Sequence, residues 1–124
     1  MLLVYVALGG AVGAVARYAL AGWIYERAGA DFPWGTLAVN LLGSFALGVL
    51  LPLLAVQPAQ AEWRALVSVG FLGAFTTFST FSYEAAMLIQ KREWKRAGAY
   101  VLASLGLGLA SIVAGFAISA QLLR

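Results

Sequence analysis

The sequence predicts an all-α integral membrane protein that crosses the bilayer four times. Three observations carry that prediction. Of the 124 residues, 63% are hydrophobic and only 10% charged, against about 25% charged in soluble domains. The apolar residues fall into four runs, each as long as the roughly 20 residues a helix needs to cross a hydrocarbon core. All four tryptophans, Trp23, Trp34, Trp63 and Trp94, stand at the ends of those runs, where amphipathic rings prefer the headgroup layer. A globule this small has too much surface to hide so much apolar side chain from water. A soluble enzyme or free-standing binding module is therefore excluded.

The spans are expected at about residues 2–25, 34–56, 64–90 and 96–122, in a single membrane domain covering 1–124. Lipid satisfies no backbone polar group, so the alternatives are helices or a closed barrel. Barrel strands alternate polar and apolar side chains over about 10 residues, and these runs do not. The chain has no cysteine and no histidine, which removes disulfides, thiol nucleophiles, imidazole relays and His or Cys metal ligands. The net charge of +3 is read as topology signal between apolar runs, with no nucleic-acid partner. Arg27, Lys91, Arg92, Lys95 and Arg96 lie on one side and Arg64 and Arg124 on the other, which favours both termini outside. No basic stretch precedes Leu2, so the first helix is expected to be retained rather than cleaved.

In the first span Gly9, Gly13 and Arg17 share a face at steps of four. Small residues at that spacing let helix backbones approach closely. Arg17 at mid-span costs about 2.5–3.5 kcal/mol on insertion scales, so it must snorkel, pair with an acid or face an aqueous vestibule. The second span stacks Thr36, Asn40 and Ser44 at steps of four, with Gly43 and Gly48 alongside. An amide in hydrocarbon must be hydrogen-bonded, so Asn40 is either inter-helix glue or a donor on a polar track.

The third span departs most from an ordinary helix. Gly70 and Gly73 precede Thr76-Thr77-Phe78-Ser79-Thr80-Phe81-Ser82, and clustered Ser and Thr compete for backbone hydrogen bonds. Irregular backbone at membrane depth persists only when buried in protein or lining a cavity, and its freed carbonyls can hold a cation. Phe78 and Phe81 project from nearly one face. Their positive ring edges could meet a small anion, or the pair could simply pack. The fourth span carries Tyr100, Ser104, Gly108, Ser111, Gly115 and Ser119 as a hydroxyl-and-glycine stripe.

Three motifs in order carry a resemblance. Gly9-Gly10-x-x-Gly13-Ala14-x-x-Arg17-Tyr18 is followed by Gly35-Thr36-Leu37-x-Val39-Asn40-x-x-Gly43-Ser44-Phe45. The third is Gly70-x-x-Gly73-x-x-Thr76-Thr77-Phe78-Ser79-Thr80-Phe81. Together they resemble the Fluc/CrcB fluoride channels over the whole chain. The resemblance implies an antiparallel, dual-topology homodimer in the plasma (inner) membrane, with two fluoride pathways along the subunit interface and passive, electrogenic fluoride export. It implies a broken third helix at the dimer centre holding one structural Na⁺ on the backbone carbonyls of Gly73 and Thr76 from both subunits. It also implies Phe78 and Phe81 as aromatic box residues, Asn40, Thr77, Ser79, Tyr100 and Ser104 as polar neighbours along the fluoride pathway, and Arg17 toward a vestibule. Ala74 stands where relatives often have glycine, and Gly108 where a hydroxyl is expected in the stripe.

Two rival readings belong to other classes. A small multidrug-resistance-type, proton-coupled cation exporter needs a membrane-embedded carboxylate in the first span, and none precedes Glu26. A non-transporting assembly subunit accounts for the glycine faces but not for Thr76–Phe81 together with Asn40. No nucleophile–base pair or metal cluster supports catalysis.

Overall fold

The structure, a computed structural model, describes all residues from Met1 to Arg124. It is helical throughout, without strands. Helix α1 (Leu2–Ala28) and α2 (Trp34–Ala55) form the first two spans. The third, Gln60–Gln90, is composite. It runs through α3 (Gln60–Trp63), a π-helical segment (Arg64–Leu72), α4 (Gly73–Phe75) and α5 (Phe78–Gln90). Helix α6 (Trp94–Leu122) is the fourth. All four spans are long and apolar enough to cross a membrane. The 22 residues of α2 give about 33 Å at about 1.5 Å per residue, close to the hydrocarbon thickness.

Local chemistry sets the helix ends. Helix α1 stops at Gly29, whose φ of 82° lies where a side chain would be strained. Arg27 in the last turn faces the negative end of the helix dipole and stacks 4.0 Å over the Trp23 ring. Pro33 precedes α2 as its N-cap residue. The α5–α6 turn uses Arg92 at φ 58°, and Arg96 reaches back to Glu93 at 3.2 Å in an exposed ion pair.

Between α4 and α5 the helical run is interrupted. Thr76 has φ −90° and ψ 158°, and Thr77 has φ −152° and ψ 121°, both extended. The Thr77 hydroxyl then caps α5 by accepting the Thr80 N–H at 3.1 Å, as N-cap threonines do.

Packing depends on small residues rather than on a large apolar core. A Cβ added at Gly9 or Gly13 would run into the backbone oxygens of Leu66 and Phe71, so α1 lies directly on the π-helical segment. A Cβ at Gly48 would run into the Ile112 carbonyl, and Gly115 answers it from α6. One apolar cluster, built from Leu37, Phe81, Ala85, Leu88, Ala97 and Tyr100, joins α2, α5 and α6 beside the break. Replacing Gly48 by valine should cost about 1–3 kcal/mol or more through overpacking. Gly22→Ala, with nothing within 4 Å of its added Cβ, should leave stability nearly unchanged. Thermal unfolding of the two detergent-solubilised variants compares the costs directly.

Candidate functional site

The interruption at Thr76–Thr77 removes helix bonds that must be replaced. Asn40, nearly two turns into α2, supplies the replacement from both ends of its amide. Its Oδ1 accepts the Thr77 N–H at 2.8 Å, and its Nδ2 donates to the Thr77 carbonyl at 3.0 Å. In an unbroken helix the Thr77 N–H would bond the Gly73 carbonyl; that carbonyl has lost its donor. The Thr80 N–H, which would bond the Thr76 carbonyl, goes to the Thr77 hydroxyl instead. The Thr76 carbonyl accepts no backbone or side-chain hydrogen bond. Thr76 itself is tied back to the Leu72 carbonyl through both its N–H, at 3.1 Å, and its hydroxyl, at 3.0 Å.

Arg17 meets the same break from α1. Its Nε donates to the Ala74 carbonyl at 3.0 Å. No carboxylate lies within 4.0 Å of it, the one ion pair being Arg96–Glu93. The guanidinium thus combines a backbone bond with an unpaired charge.

Two cavities flank the break. One, of about 300 Å³, is an open groove whose walls include Asn40, Gly73, Thr76, Thr77, Phe78, Phe81 and Ser104. The other, of about 260 Å³, is lined by Arg17, Tyr25, Thr36, Thr77, Thr80 and Glu84 among others. Thr77 belongs to both.

The structure therefore places Asn40, Gly73, Thr76, Thr77, Phe78, Phe81 and Ser104 together on one groove. Ser79 is outside it, with its hydroxyl 3.2 Å from that of Thr77. Tyr100 is not on the groove surface either. It is fully buried behind Phe81, with ring centroids 5.2 Å apart. Arg17 lies in the second cavity, across the break. The Phe78 and Phe81 rings are 5.6 Å apart and tilted by 50°. Phe78 is 76% exposed while Phe81 is packed in the core, so only one ring is fixed within the chain.

Four buried hydroxyls have no partner, and two of them, on Ser68 and Ser104, belong to residues of the groove. Ser104 Oγ and Tyr100 OH are sealed from solvent with no hydrogen bond, as are Ser68 Oγ and Ser119 Oγ. Each such group costs about 1–3 kcal/mol unless something outside the chain satisfies it.

Sequence reasoning did not assemble the Glu84 cluster. The Tyr25 hydroxyl donates to Glu84 Oε2 at 2.7 Å, and the Thr36 hydroxyl donates to Oε1. Both carboxylate oxygens are engaged, which is how an acid persists at membrane depth. Glu84 is the single acid between residues 64 and 90. Its partners come from α1 and α2, and no linear spacing links them.

Comparison with known proteins adds independent findings. Residues 4–116 match the family described as CrcB-like protein, Camphor Resistance (CrcB). The chain is 53% identical over 122 residues to a Hahella chejuensis protein named fluoride-specific ion channel FluC, covering 98% of this chain and 96% of that one. Proteins of the same name from Geobacter sulfurreducens (48% identity; 94% and 95% covered) and Rhizobium johnstonii (47%; 93% and 93%) are similar over nearly the same length.

Asn40→Leu removes both bonds to Thr77 and leaves a part-buried N–H and carbonyl without partners. It should cost about 1–3 kcal/mol, read as a lower unfolding midpoint in detergent. An unchanged midpoint would mean that Asn40 does not hold the break.

Proposed function

This chain belongs to the CrcB family, and from that premise we propose that it is a fluoride-selective channel giving passive, electrogenic fluoride export across the plasma membrane. It works as an antiparallel, dual-topology homodimer. The observation that carries the reading is the groove at the break. It gathers an amide, hydroxyls and two phenyl rings at membrane depth, beside backbone that no lipid can satisfy.

The dimer follows from the same physics. Gly73, Phe78 and Ser79 are exposed on the single chain, and the Thr76 carbonyl accepts nothing. Non-helical backbone cannot face hydrocarbon, so a second copy laid over this face would cover it. Isologous pairing sets two breaks against each other.

Fluoride holds its hydration shell tightly, so a pathway must offer donors in place of water. Asn40 uses one N–H on Thr77 and keeps a second. Thr77 and Ser104 add hydroxyls along the groove, with Tyr100 and Ser79 as polar neighbours. Phe78 and Phe81 present positive ring edges, and Phe81 is held in place by its contacts with Tyr100, Leu37 and Ala85. Arg17, unpaired in the second cavity, raises the local concentration of anions in a vestibule.

The released Gly73 and Thr76 carbonyls suit a hard cation, which takes oxygen ligands. Gly73 and Thr76 of the two copies would hold one structural Na⁺. Bound there, the ion supplies positive potential at the centre of the dimer. Proton-coupled cation export finds less support: α1 has no acid before Glu26, and Glu84 is held by two donors.

Liposomes reconstituted with the protein should release fluoride rapidly once a K⁺ ionophore relieves the electrical limit, and should retain chloride. Release of both anions, or of neither from dimeric protein, would overturn the reading. Phe81→Ile should slow fluoride efflux by about ten-fold, the loss expected when about 1.4 kcal/mol of ring-edge interaction leaves a barrier. Size-exclusion chromatography should show the dimer intact.

A further inference from the structure

We infer that Ser68, on the π-helical segment, is a fluoride-donor residue of the groove and forms with Ser104 a second waypoint for the ion; this rests on the channel reading above. Ser68 is 8% exposed, its Oγ is sealed from solvent with no hydrogen-bond partner, and the residue is one of those that wall the groove of about 300 Å³. Ser104 is the one other groove residue with a buried, unpartnered hydroxyl. Tyr100 and Ser119, equally without partners, lie off it.

A buried serine in a helix ordinarily turns back onto the carbonyl four residues earlier. Ser68 does not. Its own carbonyl accepts the Gly73 N–H across five residues, the bond that defines π winding. Ser68 is thereby tied by backbone to the first residue of α4, where the groove meets the break. The surrounding wall is apolar, with Leu47, Leu72 and Leu105, and Gly108 adds no side chain. The fourth-span stripe thus lacks a hydroxyl at Gly108, and Ser68 brings one to another part of the same groove wall. A small anion moving along this wall exchanges water for donors only at such points.

The chain contains no cysteine, so Ser68→Cys carries the sole thiol. In fluoride-loaded liposomes a charged, water-soluble methanethiosulfonate should modify it and slow fluoride efflux by about ten-fold. Ser68→Ala should slow efflux by a similar factor, whereas Ser68→Thr, which keeps the hydroxyl, should stay within about two-fold of the unsubstituted protein. Unhindered efflux in Ser68→Ala overturns the assignment, and so does a thiol that stays unmodified in the membrane, because the hydroxyl would then be sealed in packing. Should Ser68→Ala fail to fold, the labelling decides alone. Absence of fluoride efflux from the unsubstituted protein would instead sink the channel reading, and thiol modification would still report whether the groove holds water.

Discussion

Everything at the centre of this molecule depends on one pairing, the side-chain amide of Asn40 with the backbone of Thr77. Extended backbone in the middle of a membrane helix is costly because lipid offers nothing in exchange for lost ladder bonds. Asn40 answers with one acceptor and one donor in a single planar group, at 2.8 and 3.0 Å. By taking the Thr77 N–H it leaves the Gly73 carbonyl without its helical donor, and the Thr77 hydroxyl does the same to the Thr76 carbonyl by accepting the Thr80 N–H. Repair of one residue thus prepares a polar surface at its neighbours.

Close backbone approach makes that repair possible. Glycines on α1 bring it onto the π-helical segment, and the same approach delivers Arg17 to the Ala74 carbonyl. Gly43 on α2 faces the Thr76 side chain, where a Cβ would collide, so Asn40 three residues earlier can reach Thr77. The glycine stripes and the polar residues are therefore one device: small residues set the distance, and the amide and guanidinium use it.

The break also divides the chemistry. On one side lies the groove with its amide, hydroxyls and phenyl rings; on the other, a cavity holds a guanidinium without a counter-ion and a carboxylate already engaged by Tyr25 and Thr36. In a low-dielectric setting an uncommitted carboxylate would repel an anion strongly. Two donors on Glu84 spread that charge into hydrogen bonds, while Arg17 keeps its own available. The two cavities share Thr77, so both depend on the conformation Asn40 imposes.

Much of this was legible in the order of residues. Hydrophobic runs bounded by tryptophan fix four helices, because length and apolarity are properties of a segment by itself. The run from Gly70 to Ser82 likewise marks its weak point, since glycine and adjacent hydroxyls undermine a helix locally. The family motifs named Asn40, Thr77, Phe78 and Phe81. What the order of residues could not supply was partnership. That Arg17 bonds a carbonyl 57 residues away, that Glu84 is shared by Tyr25 and Thr36, that Tyr100 lies behind Phe81, and that Ser68 reaches the wall of the groove all follow from how helices sit against one another. Periodicity assigns a residue to a face of its own helix, but only packing decides what that face meets.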